Sequence, residues 1–201
     1  MFEVIPFPPA HHNTVTVNKK QFTPDALGAS LYEALRAAMT SASVLSIERL
    51  LASIGKMPAD LDEQYVGDIM IAVMFGATLS IERSTEQWIG ERIVAGMQNE
   101  FFRHLEEQGA TPHQVAEWRD VLANRFQEYR ACAAGYDEGL EPPWKVGRQL
   151  YWLLTGTVEY LALPIKNSTL FVLAARDQAQ LLMNEYGPHI ISGVAAPLAK
   201  H

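Results

Sequence analysis

Cysteine is nearly absent from this sequence. Cys132 is the single cysteine among 201 residues, so the chain cannot form an internal disulfide. Proteins of oxidising compartments often depend on several disulfides, whereas proteins of reducing compartments keep their thiols free. We therefore expect a cytoplasmic protein. A chain of this length buries roughly 70% of the surface that its unfolded form exposes, so it needs neither a disulfide nor a metal for stability.

Positive charge is also scarce. The chain has 16 Lys and Arg residues against 23 Asp and Glu residues, which gives a formal net charge of -7 at pH 7. Proteins that bind nucleic acids draw much of their affinity from clustered Lys and Arg that displace counterions from phosphates. The one basic doublet, Lys19-Lys20, is too small for that purpose. We expect no nucleic-acid partner.

No apolar run in the sequence has the length that a membrane crossing requires. The most apolar stretch, IMIAVMFGATL at 69–79, is about 11 residues long, and a membrane-spanning helix needs about 20. We expect no membrane span and interpret this stretch as a helix that is buried on all sides. The N-terminus, MFEVIPFPPAHH, has an acid before any basic residue and prolines in place of a continuous apolar run. It therefore does not resemble an export signal.

Motifs that identify a reaction or a cofactor are missing as well. SIGKM at 53–57 lacks the upstream glycine and the following Ser or Thr of a P-loop. The sequence has no dinucleotide-binding glycine motif, H-E-x-x-H, nucleophile elbow or C-x-x-C, and no Glu-x-x-His of the di-iron bundles. Cys132 lies among alanines, which favours a small core residue over a nucleophile, and His11 and His12 lie in a proline-rich segment that favours solvation over metal binding. We expect no cofactor and no metal.

The sequence does contain a series of well-delimited helical patterns. Thr23 is an N-cap candidate, with Pro24 and Asp25 in the first turn. Three capping boxes follow, at Asp60 with Glu63, Ser84 with Gln87 and Thr111 with Gln114. These signals predict helices over about 23–38, 44–54, 61–82, 85–108, 112–134, 144–163 and from 167 or 168 to Gly187.

The predicted fold is an all-α, single-domain helical bundle of about six to seven helices, over residues 23–191. Residues 1–22 differ from the rest, because IPFPP favours an extended polyproline-like chain and NTVTV alternates as a short strand does. We expect them to form an extended N-terminal arm, which either packs irregularly on the bundle or pairs with another subunit. Residues 192–201 are predicted to be a frayed tail.

One stretch, NEFFRHLEEQGATPHQVAEW at 99–118, reads almost as a mirror image around its glycine. Glu100 and His104 stand four residues apart on one side, and His113 and Glu117 stand four apart on the other. On helical wheels the first pair points with the apolar stripe of its helix and the second pair points away from its own stripe. A metal site with all four ligands is therefore not expected. The inward pair needs partners, because burying an unpaired carboxylate costs several kcal/mol.

Two arginines of the next helix are candidate partners for Glu100 and His104. Antiparallel helices joined by a short turn bring residues equally distant from the turn to one level, which places Arg119 beside Glu100, and Arg125 lies inside the apolar stripe of its helix. The first interpretation is a structural network of Glu100, His104 and an arginine. The second makes Glu100, His104, Arg119 and Arg125 the polar end of a ligand pocket. The third is a catalytic dyad in which Glu100 orients His104 as a base.

Two hypotheses for function follow. The first is a non-catalytic interaction protein that self-associates as a homo-oligomer and has a protein partner as an alternative. It rests on the missing reaction motifs, on more large apolar residues than one thin bundle needs, and on an arm without an internal partner. The second is a small-ligand-binding protein or an enzyme, with an enclosed apolar pocket whose polar end is Glu100 and His104.

Overall fold

The computed structural model describes residues 22–40, 45–53, 63–134, 142–156 and 163–186. Within these ranges the chain forms seven α-helices: α1 (Pro24–Thr40), α2 (Ile47–Ser53), α3 (Glu63–Ser84), α4 (Gln87–Glu107), α5 (Pro112–Ala134), α6 (Pro142–Thr155) and α7 (Leu163–Tyr186). The predicted all-α bundle is confirmed. Residues 1–21 of the predicted arm, the capping box at Asp60 and the predicted tail at 192–201 lie outside the described residues.

Two of the predicted helix starts carry the expected capping bonds. Thr23 Oγ1 accepts a hydrogen bond from the backbone N–H of Ala26 at 3.2 Å. At the start of α5, Gln114 Oε1 accepts from the backbone N–H of Thr111 at 2.8 Å, and Thr111 Oγ1 accepts from the backbone N–H of Gln114 at 3.3 Å. This reciprocal pair satisfies donors that the first turn of a helix leaves free.

The predicted capping box at Ser84 is wrong. Ser84 is the last residue of α3, and Glu86 is the N-cap of α4 without a side-chain capping bond. The Ser84 hydroxyl instead donates to Gln180 Oε1 on α7 at 3.2 Å, and the Ser80 hydroxyl donates to the same oxygen at 2.7 Å. A tertiary hydrogen bond to α7 therefore replaces the local cap.

The link between α6 and α7 starts earlier than predicted. Helix α6 ends at Thr155, and Gly156 follows it with a φ of 69°, a left-handed conformation that glycine adopts without steric cost. Helix α7 begins at Leu163, because the first turn of a helix tolerates Pro164. The predicted start of the last helix at 167 or 168 is therefore wrong. The predicted continuation of the preceding helix over 157–162 lies outside the described residues.

Helix α3 forms the centre of the bundle and contacts α1, α4, α5, α6 and α7. Its residues 69–78 are all buried, so the prediction of a helix buried on all sides is confirmed for that segment. By length and composition alone, the Tyr65–Ser84 part of α3 could cross a membrane, and it is the one such helix in the described parts of the chain. Most of it is buried inside the bundle, and the core helix of a soluble protein meets the same criteria.

Helices α1 and α4 pack side by side and run in the same direction. Asp25 contacts Arg92 near the start of both helices, and Tyr32 contacts Phe101 further along. At the crossing, a Cβ atom added to Gly28 would overlap the carbonyl oxygen of Ile93. A Cβ atom added to Gly96 would likewise overlap the backbone of Asp25. One glycine on each helix therefore allows the two backbones to touch.

Candidate functional site

Glu100 and His104 lie where α4 packs beside α1, and both are partly or largely buried. The Glu100 side chain is 13% exposed. Arg103 Nε donates a hydrogen bond to Glu100 Oε2 at 2.9 Å, and Arg103 also pairs with Glu107. The His104 ring packs against Tyr32, with 6.1 Å between the ring centroids. The Glu100 carboxylate, for which a partner was predicted, is thus paired with Arg103, three residues later on the same helix.

The structure does not bring Arg119 to Glu100. The Arg119 guanidinium lies over the Phe102 ring, 4.1 Å from its centroid. Residues equally distant from the turn between α4 and α5 do lie at one level, as predicted, because the ring centroids of Phe101 and Trp118 are 5.9 Å apart. Arg119 contacts a different side of α4 from the one predicted, because Phe102 lies about 200° around the helix axis from Glu100.

His113 and Glu117 face solvent, as the wheel predicted. Their side chains are 83% and 63% exposed, and His113 Nδ1 lies 3.5 Å from Glu117 Oε2. Glu100 and His104 point to α1 instead, so the four residues do not converge. Across the described ranges, no group of three or more His, Cys, Asp or Glu side chains is arranged to hold a metal ion.

Arg125 belongs to a different polar cluster, which we call the Asp68 cluster: Asp68 on α3 with Arg125, Glu128 and Tyr129 on α5. Arg125 Nε donates to Asp68 Oδ1 at 2.9 Å, and Arg125 Nη1 donates to Glu128 Oε2 at 2.9 Å. The Asp68 side chain is only 6% exposed. The Tyr129 hydroxyl is fully buried and has no hydrogen-bond partner among the described residues. Burial, assisted by the negative charge of Asp68, raises the pKa of Tyr129, so this hydroxyl keeps its proton.

Sequence reasoning found Arg125 but missed Asp68, although a signal was present. Asp68 is the one charged residue between Tyr65 and Leu79, in the apolar central part of its helix. An acid inside a helix that is buried on every side has to be paired with a cation from another element. The matching cation, Arg125, lies 57 residues away in the sequence, and no local pattern connects the two.

Cys132 lies half-buried on α5, with its Sγ atom 3.9 Å from Gln149 Oε1. Burial raises the pKa of the Cys132 thiol. A nucleophilic cysteine needs the opposite shift, which stabilises the thiolate. The surroundings of Cys132 therefore support the interpretation as a packing residue.

Most of the exposed large apolar side chains among the described residues lie on two helices, α6 and α7. The exposed ones among the described residues are Val66 (38%), Trp144 (37%), Trp152 (43%), Leu170 (43%) and Leu181 (50%). Four of these five lie on α6 and α7, which pack against each other. Along α6 the two tryptophans are about 80° apart around the helix axis, and along α7 the two leucines are about 20° apart. Each pair thus shares one outer side of its helix.

A groove of about 570 Å³ lies between α4 and the C-terminal parts of α3 and α5. Its lining residues are Glu82, Gln87, Gly90, Glu91, Val94, Ala95, Gln98 and Arg130. Arg130 Nη2 donates to Glu82 Oε1 at 2.6 Å and joins α5 to α3 there. The groove is open at the surface and its arginine is already paired with Glu82, which leaves few features that would select a ligand.

Comparison with known proteins adds no assignment, because no protein-family model, curated protein or solved structure matches this chain.

Proposed function

We propose that this chain is a non-catalytic interaction protein that associates with a second copy of itself through the outer side of α6 and α7. The proposal rests on the observation that four exposed large apolar residues lie on these two helices: Trp144, Trp152, Leu170 and Leu181. Scattered surface hydrophobic residues are normal, whereas clustered ones indicate an interaction site. Tryptophan in particular is enriched among the residues that supply most of the binding energy at interfaces.

Covering these side chains contributes favourable free energy to association. Complete burial of a large apolar side chain contributes about 1.5–3 kcal/mol relative to exposure, and the four are each between 37% and 50% exposed. Covering the remaining exposed part of each contributes about 1 kcal/mol. Two copies that present the same patch double this contribution, because both faces are buried in one interface.

Sedimentation velocity over a wide range of protein concentration tests the proposal. Trp152→Lys and Leu181→Lys place a charge on the α6 and α7 side, and we expect both variants to shift the equilibrium towards monomer. Val66→Lys is the matched control, because Val66 is an exposed apolar residue on α3, at 38%. The proposal fails if the wild-type protein sediments as a monomer at every concentration.

A small-ligand-binding function is the second candidate, and one observation favours it at the Asp68 cluster. The fully buried Tyr129 hydroxyl lies close to the ion pair of Asp68 and Arg125 and has no hydrogen-bond partner in the described part of the chain. An unsatisfied buried hydroxyl costs about 1–3 kcal/mol, and a polar ligand that bonds to it recovers part of this. The sequence-based pocket at Glu100 has less support, because Arg103 already satisfies that carboxylate.

A thermal-shift screen against polar metabolites tests the second candidate. A true ligand raises the melting temperature of the wild-type protein and loses most of that effect in Tyr129→Phe. Without such a ligand, Tyr129→Phe is expected to be as stable as the wild type or slightly more stable, since it removes an unsatisfied polar atom. A screen without any stabilising compound would favour the interaction function alone.

A further inference from the structure

The outer face of α7 carries a stripe of apolar residues opposite its buried face. With the buried Ser168 set at zero on a helical wheel, Leu170, Leu181 and Ala174 fall at about 200°, 220° and 240°. The buried Val172 falls at about 40° on the same wheel and packs near Gly76 of α3. Leu170 and Leu181 are exposed on this outer side, whereas Ala174 is partly buried and also packs against the core.

Opposite charges mark the two ends of this stripe. Lys166 lies one turn before Leu170, and Glu185 lies one turn after Leu181. Both side chains are exposed, and neither forms an ion pair with another residue in the described ranges. Asp177 also lies on this face, at about 180° on the same wheel. From its N-terminal to its C-terminal end, the outer face of α7 thus carries Lys166, Leu170, Ala174, Asp177, Leu181 and Glu185.

We propose that this face docks against the same face of a second copy, with the two α7 helices antiparallel about a two-fold axis. The proposal rests on the self-association proposed above and specifies its geometry. In the register that sets Leu170 opposite the partner's Leu181, Lys166 lies opposite the partner's Glu185. The two-fold axis repeats each contact, so a single register forms two leucine contacts and two ion pairs.

The charges select a second copy in this orientation over other arrangements. A parallel pairing of α7 with itself would place Lys166 beside the partner's Lys166 and Glu185 beside the partner's Glu185. Like charges at such contacts are repulsive, and opposite charges fix orientation and register. Only the antiparallel pairing makes the stripe complementary to itself.

The centre of the stripe is compatible with close packing. Ala174 lies between the two leucines, and a small side chain lets the axes of two helices approach to about 8 Å. In this register Ala174 faces the partner's Asp177. The Asp177 carboxylate already accepts a hydrogen bond from Arg176 of its own chain at 2.8 Å, so it does not enter the interface as an unpaired charge.

A charge-swap experiment on the full chain tests this register. Lys166→Glu and Glu185→Lys each replace two ion pairs by two like-charge contacts, and we expect each to raise the dimer dissociation constant about tenfold. The double variant, Lys166→Glu with Glu185→Lys, restores opposite charges and is expected to dissociate within about threefold of the wild type. Asp120→Lys is the matched control, since it changes the net charge as Glu185→Lys does at an exposed position on α5.

The outcomes distinguish an error in the proposed α7 register from an error in the proposed self-association. If the wild-type protein dimerises and the single variants dimerise equally well, or the double variant is not restored, α7 is not the interface in this register and another surface carries the association. If the wild-type protein is monomeric, self-association and the α7 register are both wrong. Thermal unfolding of each variant, followed by circular dichroism, confirms that a loss of dimer is not a loss of fold.

Discussion

Buried polar residues in this bundle differ in how completely their hydrogen bonds are satisfied. Asp68 accepts a hydrogen bond from Arg125, and Glu100 accepts one from Arg103, whereas the Tyr129 hydroxyl has no partner within the described ranges. The two acidic residues also differ in whether their arginine partner lies on the same helix. Glu100 is paired within α4, but Asp68 joins α3 to α5, so its loss would affect the packing of two helices.

We expect Asp68→Asn to lower the free energy of unfolding by about 2 kcal/mol, because Arg125 then loses its main buried counter-charge. Glu128→Gln is the matched control. It removes the second carboxylate from the same arginine, but Glu128 is 42% exposed, and exposed pairs contribute about 0–1 kcal/mol. Urea unfolding of both variants measures the difference. Equal losses would mean that Asp68 is not the dominant partner.

The direction of single side chains could be predicted from the sequence, but their partners could not. A helical wheel correctly turned Glu100 inward and His113 outward, because both depend on the local helix alone. It could not show that α1 lies against Glu100 or that Phe102 lies under Arg119. Those contacts depend on which helices are neighbours, and no single-helix pattern contains that information.

The helices themselves pack through glycines at their crossings. Gly28 and Gly96 join α1 to α4, Gly76 lies against Val172 of α7, and Gly147 of α6 lies against Thr169. Glycine in a helix interior costs about 1 kcal/mol relative to alanine. That cost is offset where a missing Cβ lets two backbones come into contact.

We expect Gly96→Ala to lower the free energy of unfolding by about 2 kcal/mol or more, because the new Cβ would overlap the backbone of Asp25. Gly90→Ala on the same helix is the matched control. Its Cβ would lie 3.0 Å from the side-chain oxygen of Thr85, which can adjust, and the higher helix propensity of alanine offsets that strain. Denaturant unfolding compares the two, and equal stability of both variants would contradict a backbone contact at Gly96.

The boundaries of the helices were predictable where local chemistry sets them. Thr23 and Thr111 cap their helices because the capping bonds lie within three residues. Ser84 does not cap α4, because Gln180 of α7 takes its hydroxyl. The helix contacts at glycines could not be predicted either, since an interior glycine in one helix does not indicate which other helix packs against it.

For the molecule as a whole, the proposed association makes stability depend on concentration. Folding and dimerisation are then linked, and a higher protein concentration favours the dimer. For a two-state dimer of this size, a tenfold increase in concentration is expected to raise the melting temperature by roughly 2 °C. Calorimetry at two concentrations measures this shift. The Lys166→Glu variant should show a smaller one, and a wild-type melting temperature that is independent of concentration would argue against a dimer.

The parallel packing of α1 on α4 sets the order in which the chain can fold. Neighbours joined by short links, such as α4 and α5, can pair as soon as both have formed. The contact between Asp25 and Arg92 instead joins residues 67 positions apart, so α1 has to wait for a helix that follows much later in the chain. During synthesis, α1 is therefore without its main packing partner until α4 has emerged from the ribosome.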